Sequence, residues 1–81
     1  MLSDRGPAMP RRRLGAELRS LREAARLKIE DVAAELECSP SKVSRLETGK
    51  GIPRSRDVRD LLDHYGVTDP QQRDRLLRWA N

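Results

Sequence analysis

The sequence contains very few of the residue types that build covalent, metal or aromatic sites. Among its 81 residues it has one cysteine, one histidine, one tryptophan, one tyrosine and no phenylalanine. A single cysteine, Cys38, cannot form a disulfide within the chain, and Cys38 with His64 supplies too few ligands for a structural zinc ion. We therefore expect no metal and no cofactor, and a core built from Leu, Val, Ile and Ala.

Long hydrophobic runs are also missing. No stretch approaches the roughly 20 apolar residues that a membrane-spanning helix needs, and no apolar run follows the N-terminal charges as a secretory signal requires. We expect one small, soluble domain in the cytoplasm. The sequence offers no second histidine, no nucleophile motif and no glycine-rich phosphate loop to act with His64, so we expect no enzymatic activity.

The chain is basic, with a net charge of +4. The excess is concentrated at the N-terminus, because residues 1–13 carry four arginines and one aspartate while the remaining residues are nearly balanced. A basic excess indicates an acidic partner such as nucleic acid. On the body of the domain, however, an anion-binding surface has to arise from segregation of charge between its faces.

Apolar residues recur at helical spacing from residue 11 onward, whereas residues 1–10 show no such period. We therefore predict a flexible N-terminal arm over residues 1–10 and one folded domain over residues 11–81, with Pro10 marking the start of the first helix. The apolar stripe of this helix consists of Leu14, Leu18, Leu21 and Ala25.

Two short helices follow. The second helix, of about two turns, has the apolar stripe Ile29, Val32, Ala33 and Leu36. The third begins with Ser39 as its N-cap and Pro40 as its first residue, and it runs to Gly49. Because only Glu37 and Cys38 separate them, the two helices must cross steeply. This spacing is typical of a helix-turn-helix, whose second helix fits the major groove of DNA, but sharp corners also occur in helical bundles without that function.

The last two helices complete an all-α prediction. We expect Ser55 to cap a fourth helix that ends at Gly66, and Asp69, with Pro70 and Gln72, to begin a fifth helix. Their inward residues are Val58, Leu61, Leu62, Tyr65, Leu76, Leu77 and Ala80. No alternation typical of a strand occurs anywhere in the chain.

The outward face of the third helix carries small hydroxyls and cations without a carboxylate. Its members are Ser41, Lys42, Ser44, Arg45 and Thr48. Acidic residues are concentrated instead on and after the second helix, at Glu30, Asp31, Glu35 and Glu37. A DNA duplex would be attracted by the first face and repelled by the second.

The stretch from Leu27 to Pro53, LKIEDVAAELECSPSKVSRLETGKGIP, resembles the helix-turn-helix of the lambda repressor/Cro and xenobiotic-response-element-type regulators. The shared features are the Val32–Ala33 pair, the run from Ser39 to Lys50, and Pro53. With the flanking helices, the resemblance covers about residues 11–81. The segments RRRLGAELRSLREAA and LLDHYGVTDPQQRDRLL also resemble the N-terminal DNA-binding part of longer actinomycete regulators.

This resemblance implies a compact five-helix, lambda-repressor-like DNA-binding domain with its helix-turn-helix at helices 2 and 3. The implied function is sequence-specific regulation of transcription through double-stranded DNA, with the protein acting as a homodimer. An effector domain would lie C-terminal to the residues of this chain.

The resemblance also implies roles for individual residues. The residues implied to contact bases are Ser41, Lys42 and Arg45. Of these, Arg45 is the best candidate for reading a guanine, although an exposed salt bridge to the carboxylates of helix 2 is the alternative. Phosphate contacts fall to Lys28, Ser39, Thr48, Lys50 and Arg54, and to Arg11, Arg12 and Arg13 of a basic arm. The arm either reaches the DNA backbone or minor groove, or is a disordered terminus.

Other positions are implied to be structural or depart from the family pattern. Arg22 and Glu47 correspond to a largely buried ion pair between helices 1 and 3. Lys28 and Ile29 replace a small hydroxyl residue and a glutamine that family members use near DNA. Glu37 replaces a glycine, so it must take a positive φ, at a cost of about 1 kcal/mol, or change the turn.

A protein-interaction module is the alternative function. Leu77 and Trp79 cannot both face the core that Leu76 and Ala80 face, so we expect Trp79 to be exposed. An exposed tryptophan is typical of a contact surface, and Leu77 with Trp79 would then form a dimer or partner surface on helix 5. Cys38 is expected to be a small buried hydrophobic residue.

Overall fold

The computed structural model describes residues 8–80, and this part of the chain forms five helices and no strand. They are α1 (Ala8–Ala24), α2 (Ile29–Glu35), α3 (Pro40–Thr48), α4 (Ser55–His64) and α5 (Pro70–Arg78). The all-α, five-helix prediction is confirmed. Residues 1–7 of the predicted arm, and Asn81, lie outside the described residues. None of the described helices combines the length and the apolar character that crossing a membrane requires.

Two predicted helix starts and one stripe position are wrong. α1 begins at Ala8, two residues before Pro10. The helix can include this proline because it lies in the first turn, where a backbone N–H has no acceptor within the helix. The predicted arm is therefore helical over residues 8–10. α4 begins at Ser55 with Arg54, not Ser55, in the N-cap position. Ala25 lies beyond the end of α1 and is exposed.

Among the residues whose burial the structure describes, 10–80, no polar or charged residue is fully buried. Every helix contributes to the buried core, and its members are Leu14, Leu18, Val32, Ala33, Val43, Leu46, Val58, Leu61, Leu62, Val67 and Leu76. α1 and α2 both pack against α3, and α5 packs against α4. Cys38 is half-buried against this core, which agrees with its predicted role as a small hydrophobic residue. The third helix is thus held from two sides, with one face left toward solvent.

The ends of α3 are closed by local hydrogen bonds and backbone geometry. The Ser39 side-chain oxygen accepts a hydrogen bond from the backbone N–H of Lys42 at 3.1 Å, and Gly49 ends the helix with φ of 78°. Glu37, in the turn before α3, takes φ of 56°, so the first of its two predicted alternatives holds. The steep turn is kept without a glycine, at a cost of about 1 kcal/mol.

Gly15 allows α1 to lie directly on the backbone of α3. A Cβ atom at this position would stand 2.5 Å from the carbonyl oxygen of Leu46 and 2.7 Å from the carbonyl carbon of Glu47. Real Cβ atoms do not approach backbone atoms so closely. The glycine therefore sets the distance between the two helices, which no sequence pattern indicated.

An ion pair between Arg22 and Glu47 lies at the same crossing of α1 and α3. The Arg22 guanidinium donates to both Glu47 carboxylate oxygens, at 2.7 and 3.2 Å, and to the carbonyl oxygen of Leu27 at 2.8 Å. The two side chains are only 11% and 5% exposed. The hydrogen bond to Glu47 is the largest factor that raises the pKa of Arg22, so the arginine stays charged. This is the pairing that the resemblance implies.

The neighbouring Tyr65 responds to the same environment. Burial raises the pKa of its phenol to about 12, and the negative charge of Glu47 acts in the same direction. Tyr65 therefore remains neutral across the physiological range and packs as a half-buried member of the core.

We predict that Arg22→Ala lowers the free energy of unfolding by about 3–5 kcal/mol, because it leaves the Glu47 carboxylate buried without a partner. Denaturant unfolding followed by circular dichroism measures this. The matched control is Arg19→Ala, which breaks the pair between Arg19 and Glu23 on the exposed side of α1. It should cost less than about 1 kcal/mol. Equal effects of the two substitutions would contradict the structural role of Arg22.

We predict that Gly15→Ala also destabilises the fold, by about 1–3 kcal/mol, since the added methyl group forces α1 away from α3. Helix propensity alone would give the opposite sign, because alanine favours a helix over glycine. Ser20→Ala, at an exposed position of the same helix, is the control for propensity and should be neutral or slightly stabilising. A Gly15→Ala protein as stable as the wild type would exclude the close crossing.

Candidate nucleic-acid interface

The outward face of α3 is the surface that the sequence assigns to DNA. Ser39, Ser41, Arg45 and Thr48 are exposed on it, whereas Lys42 and Ser44 are half-buried. The one carboxylate of the helix, Glu47, is turned toward Arg22 and away from solvent. The face is therefore free of negative charge from α3 itself.

Arg45 is exposed and has no ion pair or side-chain hydrogen bond to any residue in the described part of the chain. The alternative of a salt bridge to the carboxylates of α2 is therefore wrong. A guanidinium without a partner keeps all five of its donors available to a ligand.

Lys42 is held by a partner that sequence reasoning missed. Its Nζ lies 3.3 Å from Oδ2 of Asp57, in the first turn of α4. The Lys42 side chain is 44% exposed and that of Asp57 is 20% exposed. If Lys42 contacts a base as predicted, it does so with an ammonium group that is already paired with the Asp57 carboxylate.

Thr48 is also engaged within the protein. Its hydroxyl donates to the carbonyl oxygen of Ser44 at 3.0 Å, so its donor is directed along the helix. A phosphate contact from Thr48 would require this hydroxyl to rotate. Ser39 uses its side-chain oxygen for the N-cap and leaves the start of α3 pointing toward solvent.

A groove of about 460 Å³ runs between α3 and the start of α4. Four of its lining residues are cations and one is a carboxylate; the residues are Lys42, Arg45, Leu46, Gly51, Ile52, Arg54, Arg56 and Asp57. Arg54 was predicted as a phosphate contact and lies here. Arg56 and Ile52 were not predicted, and Ile52 is 53% exposed, so a large apolar side chain stands beside the cations. The R-S-R sequence around Ser55 was the available signal for Arg56.

The remaining predicted phosphate contacts lie on three different elements. Lys50, just after α3, and Lys28, at the N-cap of α2, are both exposed. Arg12 approaches the end of α3, since a Cβ on Gly49 would lie 2.9 Å from its Cγ. The structure therefore places Arg12 against Gly49, the residue that precedes Lys50. Arg11 to Arg13 are helical, so the reading of these arginines as a disordered terminus is wrong, whereas their contact with the DNA backbone or minor groove stays a prediction.

Arg13 and Trp79 lie together. The guanidinium carbon of Arg13 is 5.4 Å from the centre of the Trp79 ring, a distance at which a cation is attracted to the ring face. Trp79 is half-buried against the core, as is Leu77. The expectation that Trp79 is exposed is wrong, because α1 and the end of α5 pack around it. The observation that suggested a partner surface there is thus removed.

Acidic side chains gather around another cavity. This cavity of about 560 Å³ is lined by Glu35, Leu36, Glu37, Asp60, Asp63 and His64. Within residues 8–80 no group of three or more histidine, cysteine or carboxylate side chains is arranged to hold a metal ion. The surface repels phosphate, so positive and negative side chains line different grooves of a nearly balanced body.

A family of proteins described as "Helix-turn-helix domain" matches residues 13–76, which is most of the chain. The matched range runs from α1 through α5 and contains both helices of the steep turn. No curated protein and no solved structure matches the chain with statistical significance. The match confirms the helix-turn-helix resemblance.

We predict that Arg54→Ala weakens binding to a duplex of arbitrary sequence and makes it less dependent on salt. Loss of one phosphate contact should reduce the slope of log affinity against log salt concentration by about 0.9. Fluorescence anisotropy between about 50 and 200 mM salt measures this. Arg59→Ala removes the same charge from α4 outside the groove, and the two variants behaving alike would contradict a contact from Arg54.

Proposed function

Because the chain belongs to the helix-turn-helix domain family, we propose that it is a sequence-specific regulator of transcription that places α3 in the major groove of double-stranded DNA. The observation that carries this proposal is the exposed, carboxylate-free face of α3, on which Arg45 has no ion-pair partner among the described residues. The close approach at Gly15 and the Arg22–Glu47 pair support it, since they fix α3 against α1 and so hold its outward face in place.

Arg45 is the proposed main reader of sequence. A guanidinium can donate two parallel hydrogen bonds to O6 and N7 of a guanine, and such a contact discriminates by about 1–3 kcal/mol. Ser41 stands one turn earlier on the exposed side of α3, where its small hydroxyl can donate to or accept from a base edge. Lys42 is the third residue proposed to contact a base, and it acts together with Asp57.

The cations around α3 are proposed to set its register on the duplex. Arg54 and Arg56 line the groove on one side of α3, Arg12 lies against Gly49 at its C-terminal end, and Lys50 follows. The N-terminus of α3 adds the positive end of the helix dipole, although Pro40 has no backbone N–H and that of Lys42 is bound by the Ser39 side chain. Contacts of this kind position a protein on DNA and carry no sequence information by themselves.

We also propose that two copies bind one site. α3 has nine residues, and at about 1.5 Å per residue it is long enough to span about four base pairs. A site so short recurs by chance every few hundred base pairs, whereas a genome presents about 10⁶ or more competing sites. Two copies on half-sites about 34 Å apart would supply the missing selectivity.

Selection of bound duplexes from a random pool tests this proposal. We expect one enriched motif, arranged as two related half-sites. Arg45→Ala should then relax the preference at a single position of each half-site, with a loss of about 1–3 kcal/mol for the selected duplex. Arg59→Ala is the control, because it removes a positive charge from an exposed position outside the groove.

Three results would each count against a part of the proposal. Salt-dependent binding without an enriched motif would show that the chain binds DNA by charge alone. An equal loss for all sequences in Arg45→Ala would move Arg45 from base reading to phosphate contact. A single half-site in the enriched motif would leave base reading intact and overturn only the proposed pairing of two copies.

A further inference from the structure

Asp57 is a carboxylate in a groove that is otherwise lined by cations and apolar groups. It lies 3.3 Å from Lys42, whereas Arg45, Arg54 and Arg56, which line the same groove, form no ion pair within residues 8–80. One of the four cations is therefore compensated and the other three are not. This difference among the four cations arises only on folding, because Lys42 and Asp57 lie on different helices.

The pair contributes little to folding. The Lys42 side chain is nearly half exposed, and pairs of this kind stabilise a protein by about 0–1 kcal/mol. Its local electrostatic effect is larger, since both residues lie in the first turns of their helices. Asp57 is favoured there by the dipole of α4, while Lys42 is disfavoured by the dipole of α3. Asp57 thus keeps Lys42 near a helix start that would otherwise repel it.

An unpaired Lys42 would behave differently at a DNA surface. Its ammonium is a compact charge on a flexible stem, and it could reach any nearby phosphate whatever the base sequence. Such a contact would raise the affinity for every duplex to a similar degree and would not discriminate among them. Bound to Asp57, the ammonium gains little from a phosphate but keeps two further donors that can reach the acceptors of a guanine.

We propose that Asp57 is a positioning residue that withholds Lys42 from the phosphate backbone and directs it to the bases, which increases the ratio of specific to non-specific binding. This inference rests on the proposed function, because it needs α3 to face DNA. It assigns to α4 a part in specificity, although Asp57 itself touches no base.

Asp57→Asn tests the inference in the full chain. The variant should bind a scrambled duplex at least about threefold more tightly at 50 mM salt, as one additional phosphate contact predicts. Its affinity should also fall about three- to fourfold more than that of the wild type between 50 and 200 mM salt. The ratio of affinities for the selected and scrambled duplexes should decrease by a similar factor.

Asp60→Asn is the matched control. It removes the same charge about one turn later in α4, where Asp60 is exposed, lines the acidic cavity and forms no ion pair with any residue of the range 8–80. Any general gain from a more positive protein appears in both variants. Thermal melting of each variant shows that the fold is retained, and the exposed nature of the pair predicts only a small change.

Asp57→Asn could strengthen binding in two ways, by freeing Lys42 for a phosphate or by removing repulsion between Asp57 and DNA. Repeating the substitution in a Lys42→Met protein separates the two, because no lysine is then present to be freed. If Asp57 acts through Lys42, adding Asp57→Asn to Lys42→Met should produce no more than the gain seen for Asp60→Asn. A full threefold gain in that background would overturn the inference, as would an unchanged specificity ratio in Asp57→Asn alone. Absence of DNA binding by the wild type and Asp57→Asn alike would overturn both this inference and the proposed function.

Discussion

The Arg22–Glu47 ion pair, at the point where α1 crosses α3, is the interaction on which the rest of the arrangement depends. It lies beside Gly15, where the two backbones approach so closely that a methyl group does not fit. Turning Glu47 inward satisfies a nearly buried arginine and at the same time removes the only carboxylate of α3 from its outward face. One contact therefore joins α3 to α1 and removes negative charge from the face that α3 presents to solvent.

The distribution of charge over the surface follows from this geometry more than from the composition of the chain. Outside the first 13 residues the chain is nearly neutral, yet the groove beside α3 is lined by four cations and another cavity is lined by four carboxylates. Local potentials, and not net charge, decide where a polyanion is attracted. Asp57 makes the cationic groove uneven, because it pairs with Lys42, whereas the three arginines of the groove have no ion pair within residues 8–80.

Most of the fold was predictable because it depends on local signals. The apolar stripes identified five helices, and the Ser39–Pro40 start and the Gly49 end of α3 were correct. The errors at Pro10 and Ser55 have a local cause as well, since a first turn tolerates several residue types at adjacent positions. The error at Trp79 has a different cause. Trp79 packs against the core and beside Arg13, residues that are far away in sequence and become adjacent only when the chain folds.

The sequence by itself determined the helices, the steep turn between α2 and α3, and the residue types on the face of α3, because these follow from periodicity, capping and spacing within a few residues. Tertiary structure alone decided which of those side chains have partners. Arg45 has none within the described residues, Lys42 is paired with Asp57, and Arg13 lies against Trp79. The physical reason is that ion pairs and close crossings such as Gly15 join residues on different helices, whose distances are set only when the core is packed.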